Sequence, residues 1–98
     1  MDVLDLFRLM ISKGASDLFL TVGVAPSLKI DGQILPVKTD VLTSESSRLL
    51  TYSLMSNVQR QQFESEKEAN FAVNPEELGR FRINVFYQQG QVGMVARY

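Results

Sequence analysis

The chain has 98 residues, 45% of them apolar, enough for one domain with a real core and too few for two. Ten basic residues against eleven acidic ones leave a net charge of −1, which argues against broad electrostatic binding to nucleic acid or an anionic membrane, so any basic patch must be local. Cysteine and histidine are both absent, which removes disulfides, thiolate chemistry, the usual metal ligand and every Ser-His or Cys-His nucleophile.

Residues 2 to 13 read as a helix. Asp2 can cap its start, Val3, Phe7 and Met10 follow helical spacing, and Lys13-Gly14 supplies a C-terminal cation and a left-handed stop. Leu4, Leu6, Leu9 and Ile11 widen the apolar stripe, so this helix is expected to be covered on more than one side. Asp5 and Arg8 interrupt the run and no basic leader precedes it, so neither a signal peptide nor a membrane span is expected and the chain reads as cytoplasmic.

Asp17 to Val22 alternates Leu18, Leu20 and Val22 against Phe19 and Thr21, a strand pattern that Gly23 to Pro26 breaks. Asp31-Gly32 between Leu28-Lys29-Ile30 and Gln33-Ile34-Leu35-Pro36-Val37 predicts a type I′ hairpin. Pro36 cannot donate to a ladder, which places its strand at an edge. A second helix is predicted from Thr43 to about Met55, capped by Thr43 or Ser44, with Leu42 as a staple and Leu50 and Leu54 on its apolar side. Ser56-Asn57-Val58-Gln59 resembles a capping box and opens a third, short and largely exposed helix. Asn70 to Asn74 reads as a strand and Pro75 to Gly79 as a turn.

The last segment is the most telling. Arg80 to Gln88 and Gln91 to Tyr98 flank the turn dipeptide Gln89-Gly90. Pairing Gln88 with Gln91 sets Tyr87 opposite Val92, Val85 opposite Met94, Ile83 opposite Ala96 and Phe81 opposite Tyr98, an apolar face for the core. The other face carries Arg80, Arg82 and Asn84, with Arg97 directly across from Arg82, and like charges so opposed repel. An anion would relieve them, and guanidinium groups bind phosphate oxygens in pairs. The plainer alternative is a solvated face with splayed arginines. Phe19 and Phe86 project from the face opposite their core-directed neighbours; they could stack on a base or a protein partner, and burial under a second-face helix is the simpler expectation. The expected order α-β-β-β-α-α-β-β-β gives an α+β domain with an antiparallel sheet of about six strands.

No glycine-rich loop precedes a Lys-Thr or Lys-Ser pair, since Lys38-Thr39 follows Pro36-Val37, so the chain lacks a phosphate-cradling P-loop of its own. The carboxylate pairs Glu76-Glu77 and Glu64/Glu66 have no apolar pocket to separate their pKa values. The residues by themselves support an anion-contacting or protein-contacting module, not a self-sufficient enzyme.

The order of motifs adds to this. Lys13-Gly14-Ala15-Ser16-Asp17-Leu18-Phe19-Leu20, then Gly23 to Gly32 with Pro26 and Asp31, then Gly79-Arg80-Phe81-Arg82-Ile83-Asn84-Val85-Phe86-Tyr87, resembles the N-terminal domain of the type IV pilus retraction ATPases of the PilT/PilU family. Phe19, where much of the family has histidine, is similar to the PilU-like branch. The resemblance implies that residues 1–98 are a single PAS-like N-terminal domain and that the RecA-like ATPase domain, with its P-loop, lies outside the chain. It implies a homo-hexameric, cytoplasmic parent at the inner face of the membrane at the pilus base, hydrolysing ATP with Mg for pilus retraction and twitching motility. The partners it implies are the chain's own downstream ATPase domain, that of the adjacent subunit, a PilT-like retraction motor and the inner-membrane platform of the pilus, with no nucleic acid and no membrane insertion. Arg82 is then the leading contact to nucleotide phosphates, Arg80 and Arg97 follow it, and Phe19 and Phe86 would meet adenine or a neighbouring subunit. No cofactor, metal or catalytic residue is expected in the chain itself. The alternative is a PAS-like sensor or protein-interaction module without nucleotide.

Overall fold

The computed structural model describes residues 1–98 and places three helices on one side of a single sheet. Helix α1 (Val3–Lys13) begins with a reciprocal cap: the Asp2 carboxylate accepts from the Asp5 N–H at 2.9 Å while the Asp5 carboxylate accepts from the Asp2 N–H at 3.2 Å. It ends at Gly14, whose φ of 67° is the left-handed stop read from the sequence. Val3, Leu6, Phe7 and Met10 form its buried stripe, whereas Ile11 is 37% exposed.

Strand β1 (Asp17–Leu20) is shorter than its alternation suggests. Beyond Leu20 the backbone turns to bond residues around Leu42, with the Gly23 N–H donating to the Leu42 carbonyl and the Leu42 N–H to that of Val24. Strands β2 (Ser27–Ile30) and β3 (Gln33–Pro36) form the expected hairpin, and Asp31 and Gly32 at φ 50° and 79° have the two positive dihedrals of a type I′ turn. Pro36 does lie on an edge strand.

Helix α2 (Ser44–Tyr52) is capped by Thr43 and stops three residues short of Met55, because the chain bends through Ser53 to Met55 to start α3 (Asn57–Glu66), capped by Ser56. The predicted Leu50 and Leu54 do pack, partly buried, against the core, but the deepest positions on that same side are hydroxyl residues. Ser47 and Thr51 are fully buried, Leu50 is half-buried, and Leu49 is 57% exposed. The cause is proximity: Ser47 Oγ donates to the Val92 carbonyl at 2.7 Å, so small hydroxyl side chains face the sheet where larger ones would hold the helix away.

Strands β4 (Glu68–Val73), β5 (Phe81–Gln88) and β6 (Gln91–Arg97) finish the sheet, all of whose pairs are antiparallel, in the order β3-β2-β1-β6-β5-β4. The β5–β6 register matches the sequence reading at Gln88 with Gln91, Tyr87 with Val92, Val85 with Met94 and Ile83 with Ala96. The core lies between the helices and this inner face. Phe7 of α1 stacks on Phe81 of β5, and Phe63 of α3 stacks on Tyr87 of the same strand. These features make an α+β domain with a six-stranded antiparallel sheet, as expected.

Candidate functional site

A strand points successive side chains to opposite faces, so the inner positions Phe81, Ile83, Val85 and Tyr87 leave Arg82, Asn84 and Phe86 on the outer face. No helix packs there. Reading across the sheet through directly paired positions gives one outer row: Lys29 on β2, Asp17 on β1, Arg97 on β6, Arg82 on β5 and Ala72 on β4. The next row is Ser27, Phe19, Val95, Asn84 and Asn70.

The β4, β5 and β6 positions of these rows and Arg80, just before β5, line an open concavity of about 630 Å³ that includes Arg80, Arg82, Arg97, Asn84, Asn70 and Val95. The three arginines predicted to act together are therefore brought together. The side chains of Arg80 and Arg82 make no ion pair or hydrogen bond within the chain. Arg97 is different: its Nε donates to Asp17 Oδ2 at 3.4 Å, and its terminal nitrogens have no partner in the chain. Asn84 Nδ2 donates to Asn70 Oδ1 at 2.6 Å and fixes the floor beside Arg82.

Asp17 is the residue that sequence reasoning passed over. Its side chain is 11% exposed against 72% for Arg97, and Ser16 Oγ donates to its other oxygen at 2.6 Å. The available signal was an acidic residue at an outward position of an otherwise apolar strand. What it lacked was the pairing of β1 with β6, which no local pattern reveals.

Phe19 and Phe86 share the outer face, but neither lines the arginine concavity. The expectation that a second-face helix buries them is corrected, since all three helices pack on the other side. Phe86 instead lies over its own neighbour: a Cβ added to Gly93 would sit 2.9 Å from Phe86 Cε2, so the missing side chain is the space the ring fills. Phe19 is half-buried opposite Val95.

The donor set suits a phosphate-like anion. Guanidinium forks without protein acceptors present paired N–H groups that match oxyanion geometry. No group of three or more His, Cys, Asp or Glu side chains is gathered anywhere as a metal ligand set. No helix is long and apolar enough to cross a membrane.

Comparison with known proteins bears on the fold as a whole. No family model matches the chain. The type IV pilus ATPase PilU of Pseudomonas aeruginosa is 46% identical over 92 residues, which is 94% of this chain and 24% of that protein. The type IV pilus retraction ATPase PilT of the same organism is 33% identical over 97 residues, 99% of this chain and 28% of that protein. The chain thus spans about a quarter of the length of these curated relatives. Among solved structures, the pilus retraction motor PilT with bound ADP superposes with a TM-score of 0.94 at 36% identity, covering 100% of this chain and 29% of that one. The Legionella pneumophila ATPase DotB shares the fold, with a TM-score of 0.74 at 19% identity over 99% of this chain and 29% of that one.

Proposed function

This chain is a domain of the PilT/PilU family of type IV pilus ATPases, and from that premise we propose that its outer sheet face closes over the phosphates of a nucleotide held by a RecA-like motor domain of the same protein. The observation that carries the reading is the convergence of Arg80, Arg82 and Arg97 in one open concavity, with Arg80 and Arg82 unpaired. A strongly cationic spot on a chain of net charge −1 calls for an anion.

In this reading the domain regulates and organises the motor and does not itself hydrolyse ATP. The motor domain supplies the phosphate cradle and Mg. The arginines here supply contacts that exist only when the two domains are closed, and such differential contacts are what lets nucleotide bias an open-closed equilibrium. Arg82 is central because it lies beside both Arg97 and the fixed Asn84–Asn70 pair. Repeated in a cytoplasmic hexamer at the pilus base, closure and opening become rigid-body motion between neighbouring subunits and drive retraction.

The test is Arg82→Ala in the full-length ATPase. Loss of one charge-assisted contact is worth about 1.5–3 kcal/mol, so nucleotide affinity falls roughly ten- to hundredfold and ATPase rate and pilus retraction fall with it. Wild-type affinity and rate in the variant would remove Arg82 from the mechanism.

A further inference from the structure

We propose that Asp17 is a positioning residue for this anion site: it holds Arg97 by its Nε so that the two terminal guanidinium nitrogens are presented beside Arg82 to a single phosphate-bearing ligand. The inference rests on the anion-binding reading above and deepens it.

The geometry is asymmetric. Asp17 is nearly buried, one of its oxygens is held by Ser16 Oγ at 2.6 Å, and the other receives Arg97 Nε at 3.4 Å. Arg97 is mostly exposed and touches Asp17 through Nε alone. A nearly buried carboxylate thus holds the root of an exposed guanidinium and leaves its fork unused. Lys29, paired with Asp17 on the far side, makes no ion pair with it, so Arg97 is the one charged partner of the carboxylate. Preorganisation matters here because an unheld arginine loses rotamer freedom on binding, which offsets part of the contact energy.

A simple counter-ion would behave in the opposite way. Arg80, Arg82, Arg97 and Lys29 are the cations on this part of the face, and Asp17 and the more distant Glu68 are its acids. If Asp17 only neutralised charge, removing it would make the concavity more positive and tighten anion binding. If it positions Arg97, removing its charge weakens binding although the site gains positive potential.

The experiment titrates inorganic triphosphate into the 98-residue chain and follows the Arg80, Arg82 and Arg97 side-chain NMR signals, with Asp17→Asn, Arg97→Lys and the double variant in parallel. Arg97→Lys keeps the charge but has no Nε, and it carries the test should Asp17→Asn fail to fold. Each single variant is expected to bind triphosphate about three- to tenfold more weakly, a span set by the modest net worth of one long, solvent-exposed hydrogen bond. The double variant is expected to be no weaker than either, and the Arg97 Nε–H signal of wild type is expected to lose its exchange protection in Asp17→Asn. Wild-type chain whose arginine signals ignore triphosphate would overturn the anion site itself. Wild-type binding with equal or tighter binding by Asp17→Asn, or an Arg97→Lys chain that binds as wild type does, would overturn the positioning role and leave the site standing.

Discussion

The rings of Phe7 and Phe81 lie face to face, with centroids 4.1 Å apart and planes 10° from parallel, and neither ring reaches solvent. This one contact fastens the first helix to the strand that carries Arg82, so the core beneath the arginine face is built from both ends of the sequence.

Truncating that contact is expected to be severe. Phe7→Ala removes a fully buried ring and leaves a cavity, a loss of about 3–5 kcal/mol. For a domain whose total stability is of the order of 5–15 kcal/mol the denaturation midpoint falls steeply. Equilibrium urea unfolding measures it, with an unchanged m-value showing that the loss lies in the native state.

The seat of α2 on β6 gives a pair of opposed predictions. Ser47→Ala deletes the donor to the Val92 carbonyl and is expected to cost about 1–3 kcal/mol, since the carbonyl is left buried without that partner. Thr51 is also fully buried, but its hydroxyl has no partner. Thr51→Val keeps the shape and removes the unsatisfied group, so it is expected to be neutral or to stabilise by about 1 kcal/mol. Thermal melts of the two variants should move in different directions from wild type or differ clearly in size.

Gly93 tests the Phe86 cover. Gly93→Ala places a methyl 2.9 Å from the Phe86 ring and 3.3 Å from the Leu20 carbonyl, so a destabilisation of about 1–3 kcal/mol is expected from overpacking. Adding Phe86→Leu, which moves the bulk away, is expected to recover part of it. A double-mutant cycle by chemical denaturation reads the coupling.

Burial, with the Tyr87 hydroxyl as the next cause, pushes the Tyr52 hydroxyl from its ordinary 10.0 up to about 12. A proton held more tightly in the folded state makes unfolding easier as pH rises past the unfolded value. The contribution of Tyr52 is therefore complete below pH 10 and is lost between there and about pH 12. Tyr52→Phe keeps the ring that meets Phe63 edge-on and is expected to flatten this part of the stability profile relative to wild type.

Local chemistry made much of this molecule legible. The turn dipeptides Asp31-Gly32 and Gln89-Gly90 set both hairpin registers, and with them the shared face of Arg82 and Arg97, because an alternating strand leaves only one register that buries its apolar set. Asp2, Gly14 and Ser56 announced helix ends for equally local reasons. Two things were hidden. Leucine spacing found the core side of α2 at Leu50 and Leu54 but could not show that Ser47 and Thr51 are its deepest positions, since close approach to a strand selects for small side chains. The Asp17–Arg97 pair and the bare outer face depend on which strands become neighbours, and that is a property of the whole sheet.

The strand order also bears on how the domain assembles. Both hairpins close over short stretches of chain, whereas the central β1–β6 seam joins Asp17 to Arg97 across a sequence separation of 80 residues. Distant closure is entropically slow and comes after local pairing. A chain with its C-terminal hairpin zipped already sets Arg82 opposite Arg97, yet the carboxylate that Arg97 Nε meets arrives only when the two halves of the sheet close, so that contact forms last and marks completion of the fold.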